Sequence, residues 1–231
     1  SSRIWFTFTY FNFTSDFTVN HLSKSQNIFS NNLINYGYPR LDVQVNTENL
    51  LLPLKNYKKV ISYTPTWRSY KSNLPISLIN DFDFKNFNDF LKDNNFCFIY
   101  SIHPQFVFKD KDHIGNHSNI FNFSSLKNFD IDINHLLKFS DILINDYSTT
   151  TTDASFYKVP QVYIYNDYEE FTYSNGFVED FKSVNPGPEI NDFADLKNTL
   201  LKFLNSPEVY FEKYGEKLDN YLIKYYDIKN S

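Results

Sequence analysis

A regular alternation of short apolar segments with helical segments, starting near residue 58, constrains the fold more than any other feature of this chain. Short, continuously apolar strands separated by helices are typical of a parallel sheet that is covered on both faces. We therefore predict an α/β fold with a Rossmann-like parallel sheet and helices on both faces. The predicted strands are 58–64, 96–102, 119–123, 141–145 and 161–165. The predicted helices are 82–94, 132–139, 149–158, 192–206 and 208–226.

Residues 1–45 do not follow this alternation. They contain a predicted strand in IWFTFTYFNF and a predicted helix at 16–29, followed by an irregular stretch. We interpret 1–45 as the remnant of a preceding domain, or the crossover from it, and 46–231 as one Rossmann-like domain that includes the C-terminal helices. The chain contains no methionine and begins SSRIW, so we expect it to be a piece of a longer protein.

Composition excludes several classes of protein. The single cysteine, Cys97, excludes a disulfide framework and a cysteine-based zinc site, and it fits a reducing cytoplasm. No apolar run approaches the roughly 18 residues that a membrane-spanning helix needs. The net charge of -5 argues against a general nucleic-acid binder. A hydrophobic fraction of 42% indicates a globular chain that buries a substantial core.

Polar residues follow four of the predicted strands, at the end where parallel sheets of this kind bind their ligands. The strands are followed by Arg68 and Lys71, by His103 and Pro104, by Asp146 and the hydroxyl run 148–152, and by Asp167, Glu169 and Glu170. Because the carboxyl ends of parallel strands lie along one edge of the sheet, we expect these side chains to share one cleft.

The hydroxyl run in DYSTTTT predicts a phosphate site. A helix that starts near Thr149 presents unpaired N–H groups and the positive end of its dipole. The hydroxyls of Ser148, Thr149 and Thr150 add donors for phosphate oxygens, and Arg68 would supply a positive charge from a neighbouring loop. The alternative is that Ser148 is only an N-cap and that the threonines form a solvated turn.

Several strings, in order, carry a resemblance to a known family. NYGYPRLD, ISYTPTWRSY, IYSIHP, LLKFSDILINDYSTTTTDASFYKVPQVYIY and GFVEDFKSVNPGPEI are similar to the carboxyl-terminal half of the CDP-glycerol glycerophosphotransferases. Enzymes of that family build teichoic acids and related capsule polymers. The similarity extends over about residues 35–205.

The resemblance implies a GT-B fold, with 46–231 as its nucleotide-donor-binding domain and His103 as a catalytic residue beside the donor pyrophosphate. In that reaction an acceptor hydroxyl attacks the phosphorus nearer the glycerol and CMP leaves, while His103 stabilises the leaving phosphate. The donor-phosphate residues implied are Arg68, Asp146, Ser148, Thr149 and Thr150. The ribose and base residues implied are Pro104, Glu169 and Glu170.

The chain departs from the family pattern at several positions. Leu41 stands where the family typically has Asn, Thr149 where it commonly has Ser, and Asn175 where an Arg commonly precedes the GF motif. The His-Gly motif that supplies the catalytic base in the family's amino-terminal half is absent from this sequence. We therefore expect the acceptor half to lie in a separate N-terminal domain, and the isolated chain to bind nucleotide but turn over slowly or not at all.

The resemblance also implies partners and a location. The donor would be CDP-glycerol or CDP-ribitol, the acceptor a polyol-phosphate polymer, and the location the cytoplasm or the inner face of the cell membrane through peripheral contact. No cofactor, metal site or nucleic-acid partner is predicted, although the Mg²⁺ requirement stays open and Asp110, Asp112, His113 and His117 lie close together in sequence. Two alternatives remain: a GT-B glycosyltransferase that uses a nucleotide hexose, and a non-catalytic nucleotide-binding module.

Overall fold

The structure is a computed structural model that describes residues 10–25, 30–39, 54–68, 75–102, 117–124, 132–177 and 179–227. The strands are β1 (Phe11–Phe13), β2 (Leu33–Asn35), β3 (Lys59–Tyr63), β4 (Phe96–Tyr100), β5 (Ile120–Asn122), β6 (Ile142–Asn145) and β7 (Gln161–Tyr163). The helices are α1 (Asp16–Ser25), α2 (Phe84–Asn94), α3 (Ile133–Phe139), α4 (Thr150–Phe156), α5 (Tyr168–Asn175), α6 (Phe181–Val184), α7 (Phe193–Asn205) and α8 (Pro207–Tyr226). Short 3₁₀ helices span Ser30–Asn32 and Pro75–Leu78.

The main sheet has five strands in the order β5-β4-β3-β6-β7, and every neighbouring pair is parallel. All five were predicted from the sequence, so the α/β fold with a Rossmann-like parallel sheet is confirmed. The first strand of the sheet, β3, lies in its centre, between β4 and β6. The strand order therefore reverses between β3 and β6, and this reversal is the place where such sheets bind their ligands.

Alternate residues of each strand pack against helices on opposite faces of the sheet, as the continuously apolar strands predicted. On one face Ile61 and Phe98 belong to a buried cluster with side chains of α2, α7 and α8. On the other face Val60 and Cys97 pack against Leu136 of α3. Both faces of the sheet are thus covered by helices.

Local sequence signals fix the ends of the longer helices. The Asp83 carboxylate accepts a hydrogen bond from the Asn86 N–H at the start of α2, and Asp192 does the same for the Asp195 N–H at the start of α7. Helix α2 is followed by the C-cap residue Asn95, which has a left-handed φ of 56°. Helix α4 is shorter than predicted, because Lys158 also has a positive φ, 54°, and the chain turns there into β7.

The N-terminal part forms a separate two-stranded parallel sheet, in which Phe11 pairs with Leu33, and α1 packs beside it. Strand β1 lies at the end of the predicted strand IWFTFTYFNF, and α1 covers residues 16–25 of the predicted helix 16–29. Residues 4–9 and 26–29 of these predictions lie outside the described ones, and β2 was not predicted. This unit contacts the end of α8: the Asp227 carboxylate accepts hydrogen bonds from the Asp16 N–H (3.0 Å) and from Asn35 Nδ2 (2.5 Å). The boundary near residue 45 lies outside the described residues and stays a prediction.

Candidate functional site

The loops that follow β3 and β6 meet at the reversal of strand order. The Thr64 hydroxyl, just after β3, lies 2.7 Å from the Thr150 hydroxyl at the start of α4. Thr64 Oγ1 also donates to Asn145 Oδ1, at the end of β6, over 3.3 Å. Two loops that are 80 or more residues apart in sequence are thereby joined at the edge of the sheet where ligands bind.

The hydroxyl run lies at this junction and is organised around Ser148. Ser148 Oγ accepts hydrogen bonds from the Thr150 N–H (3.3 Å) and from the Thr150 hydroxyl (3.0 Å). Thr149, the residue before α4, is exposed and makes no side-chain capping bond. Toward the rest of the described chain, neither Ser148 Oγ nor Thr149 Oγ1 donates a hydrogen bond. Ser148 thus accepts hydrogen bonds from the first residue of α4, although Thr149 and not Ser148 holds the N-cap position, and both O–H groups remain available to a ligand.

The Asp146 carboxylate accepts hydrogen bonds from both loops. Its side chain is fully buried and accepts hydrogen bonds from the Thr66 N–H (3.0 Å) and from the Thr66 hydroxyl (2.7 Å). The same carboxylate accepts from the N–H groups of Tyr147 (2.6 Å) and Ser148 (3.2 Å). It therefore ties the loop after β3 to the main chain of the hydroxyl run, and it presents no donor to a phosphate.

Arg68, predicted to contact the donor phosphates, is buried between two carboxylates. Its Nη1 donates to Asp146 Oδ2 (2.7 Å), while Nε and Nη2 donate to the two oxygens of Asp167 (2.5 and 3.1 Å). Burial alone would lower the pKa of Arg68, but Asp146 and Asp167 outweigh it, so the pKa is raised and the guanidinium stays charged. Its side chain has no exposed surface, so contact with a phosphate would require both ion pairs to open.

Aromatic rings surround this ion pair network. The Arg68 guanidinium lies 5.2 Å from the centre of the Tyr147 ring and 5.5 Å from that of Phe171, and these two rings stack at 4.1 Å. The Tyr147 hydroxyl donates to Asp167 Oδ1 over 3.1 Å. Burial, and then the negative charge of Asp167, raises the pKa of Tyr147, so this phenol remains a neutral donor.

A cavity of about 490 Å³ opens beside this network, at the carboxyl end of β7. It is lined by Lys182 and by the consecutive residues from Tyr165 to Glu170. Glu169 and Glu170, which were predicted to bind ribose or base, lie exposed in the first turn of α5 and line this cavity. Asp167 belongs to both the cavity wall and the buried ion pairs. The cavity is therefore connected to the start of the hydroxyl run only indirectly, through Arg68 and Asp146.

Several predicted residues cannot be placed. His103, Pro104, Lys71 and the acidic and histidine residues of 110–116 lie outside the described residues, and their roles stay predictions. Across the described ranges there is no group of three or more His, Cys, Asp or Glu side chains that could hold a metal ion. The same ranges contain no helix that is both long and apolar enough to cross a membrane.

Sequence reasoning missed the parts played by Thr64, Thr66 and Asp167. Thr66 lies in the TPTWR string and Asp167 in the acidic loop after β7, so each follows a predicted strand end. That position is the signal that could have found them. Their partners could not be found, because each partner follows a different strand of the sheet.

Comparison with known proteins places these residues in a family. The sequence profile of the CDP-Glycerol:Poly(glycerophosphate) glycerophosphotransferases matches residues 3–231. The chain is 26% identical over 227 residues to the teichoic acid ribitol-phosphate polymerase TarL of Staphylococcus aureus, which covers 94% of this chain and 39% of TarL. It is 28% identical over 222 residues to a teichoic acid poly(glycerol phosphate) polymerase of Staphylococcus epidermidis, with 86% and 28% covered. The chain thus spans less than half the length of either relative.

Solved structures show the same fold. The wall teichoic acid polymerase TagF superimposes with a TM-score of 0.72 at 23% identity, over 99% of this chain and 56% of that chain. A TagF variant soaked with CDPG gives 0.71 at 22% identity, over 99% and 55%. A UDP-GlcNAc 2-epimerase from Neisseria meningitidis, bound to UDP-GlcNAc, gives 0.52 at 15% identity, over 91% and 57%.

Proposed function

We propose that this chain, which belongs to the CDP-glycerol:poly(glycerophosphate) glycerophosphotransferase family, is the donor-binding part of a polyol-phosphate transferase. It would bind CDP-glycerol or CDP-ribitol, and the complete enzyme would transfer glycerol phosphate or ribitol phosphate to a growing teichoic acid or capsule polymer. CMP would be the leaving product. The named activities of the relatives, which are polymerases of ribitol phosphate and glycerol phosphate, support this assignment.

The observation that carries the proposal is the pair of available hydroxyls at the reversal of strand order. Ser148 and Thr149 present O–H groups at the carboxyl end of β6. The cavity lies at the carboxyl end of the neighbouring strand, β7, and is connected to Ser148 through the buried network of Asp167, Arg68 and Asp146. A nucleoside diphosphate needs hydrogen-bond donors for its phosphates and a wider space for its ribose and base, side by side. This edge of the sheet offers that combination.

The residues would divide the work as follows. The hydroxyls of Ser148, Thr149 and Thr150 would donate to the donor phosphates, and Glu169 or Glu170 would accept hydrogen bonds from the ribose hydroxyls. His103 would stabilise the charge on the departing CMP phosphate, which is the main catalytic demand of phosphoryl transfer. Asp146 and Arg68 would fix the positions of the loops through their buried ion pairs, and would not contact the phosphates.

The remaining parts of the reaction would belong to a longer protein that contains this chain. We propose that a preceding N-terminal domain supplies the acceptor site and the base that removes the proton of the attacking hydroxyl. The polymer acceptor, the place of the enzyme in the cytoplasm and its peripheral contact with the inner face of the membrane are part of the same proposal.

The test is calorimetric titration of the chain with CDP-glycerol, CDP-ribitol, CDP and UDP-N-acetylglucosamine. We expect the CDP compounds to bind and Thr149→Val to weaken their binding by about fivefold to tenfold, the value of one or two lost hydrogen bonds. Thr152→Val is the matched control, because its hydroxyl lies 3.2 Å from the Tyr221 hydroxyl of α8 and not at the strand edge. His103→Ala should also weaken binding.

The outcomes separate the alternatives. Preference for UDP-N-acetylglucosamine would replace the proposal with a glycosyltransferase that uses a nucleotide hexose. Tight binding of CDP alone, with no gain from the alditol, would favour a nucleotide-binding module. If Thr149→Val and Thr152→Val weakened binding equally, the hydroxyl run would have a structural role at the start of α4 and no role in binding phosphate.

A further inference from the structure

We propose that Asp167 is a positioning residue for the donor phosphates, acting through Arg68 and Asp146 on the main chain of the hydroxyl run. This inference rests on the proposed function, because it names the side chain that holds the phosphate-binding loop in shape. Asp167 lies after β7, two strands away from β3, and it takes no direct part in the hydroxyl run. Its influence is carried by an unbroken series of short polar contacts.

The series starts at the Asp167 carboxylate, which receives the Arg68 Nε and Nη2 donors at 2.5 and 3.1 Å. Arg68 Nη1 then donates to Asp146 Oδ2 at 2.7 Å. The other Asp146 oxygen, Oδ1, receives the N–H groups of Tyr147 and Ser148. Each link is within hydrogen-bond distance, so the orientation of Asp167 sets that of the Ser148 main chain.

Burial makes this series rigid. The side chains of Arg68, Asp146 and Asp167 have no exposed surface in their ion pairs, so loss of one partner leaves a buried charge unpaired. Asp146 and Asp167 share one guanidinium, so one of the two negative charges has no cation of its own. Hydrogen bonds that Thr66, Tyr147 and Ser148 donate to Asp146 stabilise this extra charge. The amide groups of the hydroxyl run therefore complete the charge balance of the buried network.

Loss of the Asp167 charge should loosen that loop. In Asp167→Asn one oxygen becomes an NH₂ group, which has to face a guanidinium N–H or the Tyr147 hydroxyl, donor against donor. Arg68 would then turn, and the Asp146 carboxylate would move with it. Tyr147 and Ser148 would exchange their amide hydrogens faster, even without ligand.

The experiment measures amide hydrogen exchange in the ligand-free chain and CDP-glycerol binding, for the wild type and Asp167→Asn. We expect exchange at Tyr147 and Ser148 to accelerate about tenfold or more, and the affinity for CDP-glycerol to fall by about tenfold, relative to the wild type. The matched control is Asp141→Asn. Asp141 is also paired, with Lys59 at 2.7 Å, and also accepts a main-chain N–H, from Val60, but at the amino end of β6.

Each possible outcome either supports or overturns the proposed role of Asp167. Unchanged exchange at Tyr147 and Ser148 overturns the inference, even if binding weakens, because Asp167 would then act by direct contact from the cavity wall. Faster exchange throughout the sheet would overturn the inference, because Asp167 would then have a general structural role. Faster exchange in the loop alone, with unchanged affinity for CDP-glycerol, would overturn the link between the loop and the donor. If the wild type does not bind CDP-glycerol, the proposed function fails, while the exchange data still decide the coupling. Should Asp167→Asn not fold, Arg68→Lys, which cannot span both carboxylates, provides the same test.

Discussion

The hydroxyl groups of Thr64 and Thr150 lie 2.7 Å apart, and they join the end of β3 to the first residue of α4. This contact lies at the reversal of strand order, between the central strand β3 and its neighbour β6. Thr150 in turn donates to Ser148 Oγ over 3.0 Å. The position of the hydroxyl run therefore depends on a residue that is 86 positions away in sequence.

Thr64→Val tests that dependence. Valine keeps the shape of the buried side chain but removes its hydroxyl, which costs about 1 kcal/mol in the free energy of unfolding. We expect affinity for CDP-glycerol to fall by about fivefold as Thr150 loses its anchor. Urea denaturation and calorimetry measure the two quantities.

Thr152→Val is the control for this change. This change removes a hydroxyl group of the same helix, α4, which contacts the Tyr221 hydroxyl of α8. It should reduce the free energy of unfolding by a similar amount and leave the affinity for CDP-glycerol unchanged. A parallel loss of affinity in the control would show that α4 responds as a whole and that the Thr64 contact has no special role.

Arg68→Met should destabilise the chain severely. It leaves Asp146 and Asp167 buried without their cation, and breaking a buried ion pair in this way costs about 3–5 kcal/mol. Lys59→Met is the comparison, because the Lys59 pair with Asp141 is partly exposed and is worth about 0–1 kcal/mol. Equal shifts in the urea midpoints of the two variants would contradict the buried network.

The sheet could be predicted from the sequence because its strands are buried on both faces. The segment FCFIY is apolar or aromatic at every position, and DILIN at its three central positions, and this pattern is visible without knowledge of any partner. Helices α2, α7 and α8 were predicted within two residues of their ends, since Asp83, Asp192 and Pro207 give local start signals.

Elements without a continuous apolar face were missed. Helix α5 buries only Phe171, α6 buries none of its residues, and β2 is three residues long. Their positions depend on contacts made elsewhere, such as the pairing of β2 with β1, that no short window of sequence contains.

The candidate site was predicted in location but not in its internal contacts. Residues at strand ends were expected to converge, and Asp146 and Thr150 do meet the loop after β3. A charge on a loop, however, has the same appearance in the sequence whether it faces a ligand or a buried partner. The two carboxylates that pair with Arg68 follow β6 and β7, so the sequence alone could not show that this predicted phosphate ligand is also part of a buried ion pair network.

Gly187→Ala should be strongly destabilising, because the chain after α6 lies directly against β7. A Cβ at Gly187 would lie 2.1 Å from the Gln161 carbonyl oxygen and 3.1 Å from the Tyr163 ring. Pro188 and Ile190 hydrogen-bond to the main chain of Tyr163, so the segment cannot move away without losing them. We expect a loss of about 3 kcal/mol or more in the free energy of unfolding, measured in urea.

Gly215→Ala is the matched control for that change. Gly215 lies inside α8, and an added Cβ there would meet nothing within 4 Å. Alanine should raise stability by about 0.5–1 kcal/mol, because glycine is the poorer helix former. A destabilised Gly215→Ala or a tolerated Gly187→Ala would contradict the packing described.

Cys97 predicts how stability depends on pH in the alkaline range. Burial in β4, and then the charge of Asp141, raises the pKa of its thiol from 9.0 to about 12. The raised pKa means that the neutral thiol is favoured by folding, so its contribution is complete below pH 9 and is lost as the pH rises toward 12. Over that window the unfolded chain releases a proton that the folded chain keeps. The free energy of unfolding should therefore fall by about 1.4 kcal/mol per pH unit from this group alone.

The comparison of wild type with Cys97→Ala isolates this group from the tyrosines that titrate in the same range. We expect the stability difference between the two proteins, measured by urea denaturation, to be constant up to pH 9 and to change steadily above it in favour of Cys97→Ala. Because Cys97 is the single cysteine of the chain, a thiol reagent should also report its access directly, reacting with the native protein at pH 8 only as fast as β4 opens. A constant stability difference through pH 11, together with rapid thiol labelling of the native chain, would show that β4 is accessible and that the sheet is not covered on the face of α3.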